Sequence, residues 1–353
     1  MKIIHCADCH LDSAMTSLFS EEEAERRRGE IRETFLKLVS EASKSGVDAI
    51  LIAGDLFDTE KVQPVTANYI RDAVQKHPEI MFYYLAGNHD AYGFEIAEEN
   101  FKTFTDDWTT YRLGNVTISG MERPCHLHAE RLSLPEETFN IVMLHGDIEN
   151  DISVSALKDK NISYMALGHI HKGYDAFLGS DCLMSYPGCL EGRGFDETGV
   201  HGYNLLEIHE TDKTFQKTFV PFAGRQIFVL PCDVSGTETT PEMEERLKET
   251  LAAAGVTSRD LLRCLLRGEV SAEAEKNLPA LEAFLERRTY KAQLKDETTL
   301  HVPYGIYRND RSLKGEFIRM MEDTDTYTEA DKAAIIRCGL GLLKGEAVEQ
   351  CIS

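Results

Sequence analysis

Short apolar runs, each ending in an acid, an amide or a histidine, punctuate the first half of the chain. Ile3 and Ile4 lead towards Asp8 and His10, so residues 1–7 read as a first strand. Residues 20–45 predict a long amphipathic helix with Ile31, Phe35, Leu38, Val39 and Ala42 on one face. Ser20 and Glu23 have capping-box spacing, and Gly46 marks the stop. The run VDAILIA over 47–53 is apolar after Asp48, as for a strand covered on both faces. A helix over 64–76 leads to a third strand over 80–86, and the acidic text from 94 to 107 reads as helical.

Further extended runs follow at 115–120, 139–144 and 164–167, with a short helix at 152–160 between the last two. Residues 182–222 read as mostly β, closing in a hairpin around Thr211, Asp212 and Lys213. Strands alternating with helices, then extended segments, predict an α/β sandwich of layered mixed sheets. Around 224–227 the character changes. Apolar runs at 225–236 and 261–270 alternate with helices over 240–253 and 273–287, and YKAQLKDE closes a βαβαβ-like unit. Helices over 312–322 and 328–344 end the chain, the second made apolar by Ile335, Ile336, Leu340, Leu342 and Leu343. The expected organisation is a domain over 1–224, a smaller α/β domain over 225–303 and a helical segment over 304–353.

Composition narrows this picture. No apolar run approaches the roughly 18–20 residues of a membrane span, and the charged, histidine-bearing N-terminus does not read as a signal peptide. The nine cysteines are scattered without framework spacing, which suits reduced thiols in a cytoplasm. The net charge of −22 runs against autonomous tight binding to nucleic acid, which relies on Lys and Arg displacing counterions. Bound metal, a local basic strip or a basic partner would offset part of it.

The chemistry lies at the ends of the apolar runs. Asp8-Cys9-His10, Gly54-Asp55, Gly87-Asn88-His89-Asp90, His145-Gly146 and Gly168-His169-Ile170-His171 each follow one. Loops at the carboxyl ends of buried strands let a rigid sheet gather scattered ligands. Carboxylate, amide and imidazole donors without thiolate point to Mn, Fe, Zn or Mg. Asp55, beside a glycine that permits close backbone approach, is placed to bridge two ions about 3.5–4 Å apart. His89 is a candidate acid for a leaving oxygen, with Asp90 expected to orient its imidazole.

The motifs D-x-H, GDLFD, GNHD, HGD and GHIH, in this order, resemble the calcineurin-like metallophosphoesterase superfamily over roughly residues 1–225. HCADCHLDS, YPGCLEGRGFDETG and, further on, LKDET at 294–298 resemble the SbcD-type DNA repair exonuclease subunits, especially the YhaO-like branch. The resemblance implies a four-layer αββα sandwich with a smaller α/β capping domain and C-terminal helices. It also implies two divalent ions, Mn before Fe, Zn or Mg. Asp8, His10, Asp55 and His171 would hold one ion, and Asp55, Asn88, His145 and His169 the other. His89 would be catalytic without being a ligand, and Asp58 would stand behind the ligands. The implied activity is cleavage of DNA phosphodiester bonds, with a coiled-coil ATPase of the SbcC type as partner and a homodimer built on helices near 64–76 and 94–104. A small-molecule phosphatase on the same scaffold, or a scaffold without chemistry, are the alternatives. Cys9 and Cys189 depart from the family pattern without removing a ligand.

Other features have plainer readings beside functional ones. Cys6 and Cys9 form a C-x-x-C that we read as coincidence, and His126 and His128 as a polar loop. Arg26, Arg27 and Arg28 read as a solvated helix face before a phosphate contact. Arg193, in the glycine-rich loop after the last ligand strand, is a candidate substrate contact.

Overall fold

The computed structural model describes residues 1–59, 61–90, 94–122, 128–271, 273–302 and 304–343. The chain forms two compact units, Met1–Gln226 and Ile227–Ser353. In the first, the elements in order are β1 (Lys2–Cys6), α1 (Glu21–Lys44), β2 (Ala49–Ala53), α2 (Pro64–Lys76), β3 (Met81–Leu85), β4 (Phe101–Thr103) and β5 (Thr109–Leu113). Next come β6 (Val116–Gly120), β7 (Phe139–His145), β8 (Tyr164–Gly168), β9 (Tyr174–Leu178), β10 (Cys182–Tyr186), β11 (Gly202–His209) and β12 (Thr214–Pro221).

These strands make two six-stranded sheets, ordered β12-β11-β1-β2-β3-β4 and β5-β6-β7-β8-β10-β9. β1 to β4 run parallel, as do β6, β7, β8 and β10, so each sheet sends several strand ends to one side. Alternate residues of the two sheets make a common core: Ile3, Leu51 and Tyr83 from the first, with Ile118, Ile141 and Ala166 from the second. Burying a side chain of Ile or Leu size contributes about 1.5–3 kcal/mol, so this core outweighs any local propensity. The capping box at Ser20 and Glu23 is formed, and Ile31, Phe35, Leu38, Val39 and Ala42 are the buried stripe of α1. α1 and α2 are crossovers between parallel neighbours and touch one another, as right-handed connections on one face require. The other sheet's second apolar face packs Val142, Leu144 and Met165 with Leu132 and Leu157. Leu157 comes from a 3₁₀ turn, Val154–Leu157, where the sequence predicts a short helix over 152–160.

The expected helix over 94–107 is not formed by the described residues. Phe101–Thr103 instead adds a parallel strand to β3, with Phe82 opposite Phe101. The Asn100 side-chain amide lies 3.2, 3.1 and 3.0 Å from the carbonyls of Val74, His77 and Ile80 and pins the strand's start. Acidic text has helix propensity of a few tenths of a kcal/mol per residue, which pairing at an open sheet edge overrides. The reading of Arg27 also needs correction. Arg26 is solvated, but Arg27 is fully buried: its guanidinium donates to Glu30, to Glu191 at 3.3 Å and to the Gly192 carbonyl at 2.9 Å. Glu191 in turn accepts from the backbone amides of Gly224 and Arg225, which binds these residues into the first unit.

The second unit contains β13 (Ile227–Asp233), α3 (Thr240–Ala254), β14 (Leu261–Arg267), β15 (Glu269–Ser271), α4 (Leu278–Glu286), β16 (Lys291–Asp296), β17 (Thr299–His301), α5 (Tyr304–Tyr307), α6 (Leu313–Glu322) and α7 (Glu329–Leu343). β13, β14 and β16 form a parallel three-stranded sheet, as the βαβαβ pattern predicts. α4 starts later than the predicted 273, because the Asn277 side chain accepts from Ala280 N and caps it there. Among the described residues no helix is long and apolar enough to cross a membrane.

Candidate metal centre

The candidate ligands sit where parallel strands stop. Asp8 and His10 follow β1, Asp55 follows β2, and Asn88 and His89 follow β3. His145 is the last residue of β7, and His169 and His171 follow β8. Beyond the strand ends the backbones stay registered: Asp8 N donates to Gly54 O at 3.0 Å and His10 N to Asp55 O at 2.9 Å. The two sheets are tied at this edge by polar groups. His169 N donates to Asp8 Oδ1 at 2.9 Å, and His145 Nδ1 donates to Ala53 O at 3.0 Å. Asp8, His10, Asp55 and His169 all adopt positive φ, at 50, 46, 50 and 103°. Such backbone costs of order 1–3 kcal/mol per residue and persists only where its surroundings hold it.

The hydrogen bonds assign the tautomers. His10 Nδ1 faces Asp58 Oδ1 at 3.3 Å, His171 Nδ1 faces Glu197 Oε1 at 2.8 Å, and His145 Nδ1 is taken by the Ala53 carbonyl. In its neutral form each ring therefore donates through Nδ1 and keeps its Nε2 lone pair. Those lone pairs converge. His10 Nε2 and His171 Nε2 lie 3.1 Å apart, and His145 Nε2 lies 3.3 Å from Asp55 Oδ2 and 3.0 Å from Asn88 Oδ1. His169 completes the set with Nδ1 at 3.2 Å from the same Asn88 oxygen. Lone pairs facing lone pairs repel, and a cation among them turns that repulsion into coordination. Three groups among the described residues, Asp8 with His10 and His171, Asp8 with Asp55 and His145, and His10 with Asp58 and His89, have donor atoms within 4.8 Å of one another. The donor set thus fits divalent cations.

Burial makes the need for positive charge acute. Asp8 and Asp55 are almost fully buried, and burial pushes the Asp8 carboxyl up to about 6. Burial likewise holds His10 and His169 below the ordinary imidazole value. His145 goes the other way: burial opposes its charge, but Asp55 beside it raises it to about 9. A metal ion between these two would take the place of that proton.

His89 is half exposed at the same place, its ring centre 5.3 Å from that of His10. The carboxylate on its Nδ1 is Asp58, at 3.0 Å, and not Asp90 as the sequence suggests. Asp90 is bound to backbone instead, accepting from Phe57 N at 2.7 Å and Gly87 N at 2.8 Å. It shapes the loop that carries Asn88 and His89. Arg193 is likewise committed to protein groups. It donates to Glu197 through Nε at 3.0 Å and to Asp58 Oδ2 through Nη1 at 3.4 Å, joining the carboxylates that orient His171, His10 and His89. Glu197 was not anticipated; its only signal is the i,i+4 spacing from Arg193. Of the two departures from the family pattern, Cys9 is a buried thiol near Ala7 O, and Cys189 lies 3.2 Å from His201 Nδ1, whose other nitrogen donates to Glu197 O. His128 is exposed beside Glu130, as a polar loop predicts, and His126 lies outside the described residues.

Two glycines give the centre its tightness. A Cβ on Gly54, at φ +91°, would lie 2.0 Å from His145 Nδ1, and one on Gly87 would lie 2.2 Å from Asp55 Oδ1. Gly87→Ala is therefore expected to displace Asp55 and weaken Mn²⁺ binding by about 10–100-fold. Titration calorimetry checks this, and an unchanged affinity would remove Asp55 from the ligand set.

Residues 1–173 match the family model of the calcineurin-like phosphoesterases. The chain is 30% identical over 262 residues to the DNA double-strand break repair protein Mre11 of Sulfurisphaera tokodaii, covering 65% of each. It is 27% identical over 245 residues to the metallophosphoesterase YhaO of Bacillus subtilis, covering 61% of this chain and 59% of that one. Against the Mre11 protein of Methanopyrus kandleri the identity is 28% over 297 residues, covering 70% and 62%. The matches span about three fifths of the length of these relatives. With the motifs, the two sheets and the donor set in agreement, residues 1–173 form a calcineurin-like phosphoesterase domain.

Proposed function

We propose that the chain is a di-metal phosphodiesterase that cleaves DNA. The observation that carries this reading is the convergence of imidazole nitrogens on Asp8, Asp55 and Asn88, with His89 exposed beside them. One ion is assigned to Asp8, His10, Asp55 and His171, the other to Asp55, Asn88, His145 and His169. Mn²⁺ suits the mixed imidazole and carboxylate donors, as do Fe, Zn and, less well, Mg. Two such ions supply an activated water and a clamp on the phosphoryl oxygens. The chain's own residues do the rest. Asp58 holds His89 through Nδ1, leaving Nε2 to give a proton to the leaving oxygen, and Glu197, Asp58 and Arg193 keep the ligand rings from turning.

DNA as substrate is supported by the similarity to proteins named for double-strand break repair. By the same family resemblance we assign a coiled-coil ATPase partner of the SbcC type and a homodimer. Cys6, Cys9, Cys182, Cys189, Cys232 and Cys264 are free thiols, which suits the cytoplasm. The net charge of −22 favours one second reading, a phosphatase or phosphodiesterase for small molecules. Mn²⁺-loaded protein assayed on single- and double-stranded DNA beside bis-p-nitrophenyl phosphate separates the two. Cleavage of all three is expected. Ester hydrolysis without DNA cleavage, with and without the ATPase, would favour the small-molecule reading. Less than one bound metal per chain after reconstitution would leave neither.

A further inference from the structure

Beside the candidate metal centre lies an aromatic pair that no step above uses. Tyr174, the first residue of β9, stands directly across from Tyr186, the last residue of β10. Their rings stack with centroids 4.9 Å apart and planes 20° from parallel. Tyr186 is buried and fixed by its hydroxyl, which donates to Gly146 O at 2.7 Å and accepts from Ile148 N at 3.1 Å. Gly146 follows His145, so the inner ring is bound to the loop of one candidate ligand. Tyr174 is three residues beyond His171, whose carbonyl accepts from Cys189 N at 3.1 Å, three residues beyond Tyr186. The pair thus joins the loops that carry His145 and His171.

The outer ring keeps a free face, since Tyr174 is 38% exposed with Tyr186 covering its other side. Partial burial raises its phenol pKa, and the charges of Asp147 and Glu149 add to that. An exposed aromatic face stacked on a fixed partner accepts an uncharged heterocycle. Tyrosine pre-stacked on a fixed partner loses little side-chain entropy when a third ring adds to the stack.

We propose that Tyr174 is a specificity-determining residue that stacks a nucleobase next to the scissile phosphodiester. This rests on the phosphodiesterase reading above. The test compares two esters with one leaving group: thymidine 5′-(p-nitrophenyl phosphate), which carries a base, and methyl p-nitrophenyl phosphate, which carries none. With Mn²⁺-loaded protein, Tyr174→Ala is expected to lower kcat/KM on the thymidine ester about tenfold, through KM, and to leave the methyl ester within about twofold. Tyr174→Trp is expected to retain the preference. An equal loss on both esters would make the ring a prop for Tyr186 and overturn the inference, as would an unchanged thymidine ester. Wild-type protein that hydrolyses neither ester would overturn the phosphodiesterase reading and the inference with it. Activity on the methyl ester with no effect of Tyr174→Ala would overturn the inference alone.

Discussion

Replacing His89 with alanine is expected to lower kcat by about 10²–10⁴-fold while leaving the divalent metal content unchanged. The two halves of that expectation have separate grounds. His89 is the half-exposed imidazole of the cluster, whereas Asp8, His10, Asp55 and His145 are buried. Its Nδ1 is held by Asp58, which leaves Nε2 open on the exposed side of the ring. A group so placed can meet a substrate oxygen and exchange its proton with solvent. The geometry contains a competing arrangement, because His10, Asp58 and His89 also have donor atoms close enough to hold an ion. Metal analysis of the alanine variant decides between them. Two ions retained with turnover lost on bis-p-nitrophenyl phosphate makes His89 an acid, whereas loss of metal makes it a ligand. Asp58→Asn is a useful companion. It loosens His10 as well as His89, so it should lower kcat and metal affinity together.

What was legible in the sequence were residues whose position follows from strand ends. An apolar run that stops at Asp8, Asp55, Asn88, His145 or His169 marks the residue and the sheet edge at once, and the structure gathers all of these, with His10 and His171, at one edge. Partners across space were less legible. Asp58 and Asp90 are both acids near His89 in family motifs, and only the loop path decides that Asp90 turns to the amides of Phe57 and Gly87. Glu197 is one of 60 acidic residues until folding sets it against His171. The edge strands β4 and β9 escaped for a related reason. A strand with one neighbour is half solvated, so FKT and YDAFL lack the continuous apolar text of β2 or β7. The burial of Arg27 is not legible because a buried arginine and a solvated one look alike without their partners.

That arginine carries the second large effect. Arg27→Met is expected to destabilise the first unit by about 3–5 kcal/mol, the usual cost of removing one partner from a buried ion pair. Methionine restores much of the volume, so the loss would be electrostatic: Glu191, 2% exposed, would keep its charge with no cation against it. Glu191 cannot simply turn to solvent, because its oxygens also accept from Thr34 Oγ1 and from the amides of Gly224 and Arg225. Arg225 pairs with Glu30 and would compensate only for that carboxylate. Urea unfolding followed by the fluorescence of Trp108, the chain's one tryptophan, reports on the unit concerned. A change below about 1 kcal/mol would mean that the buried carboxylate finds another counter-charge or takes up a proton. The consequence should extend beyond stability. Arg27 also holds the Gly192 carbonyl, next to Arg193, and Arg193 and Glu197 together orient His171. Weakened Mn²⁺ affinity in Arg27→Met under native conditions would show that the inner face of α1, remote in sequence from every candidate ligand but Asp8 and His10, helps to keep the His171 side of the centre in place.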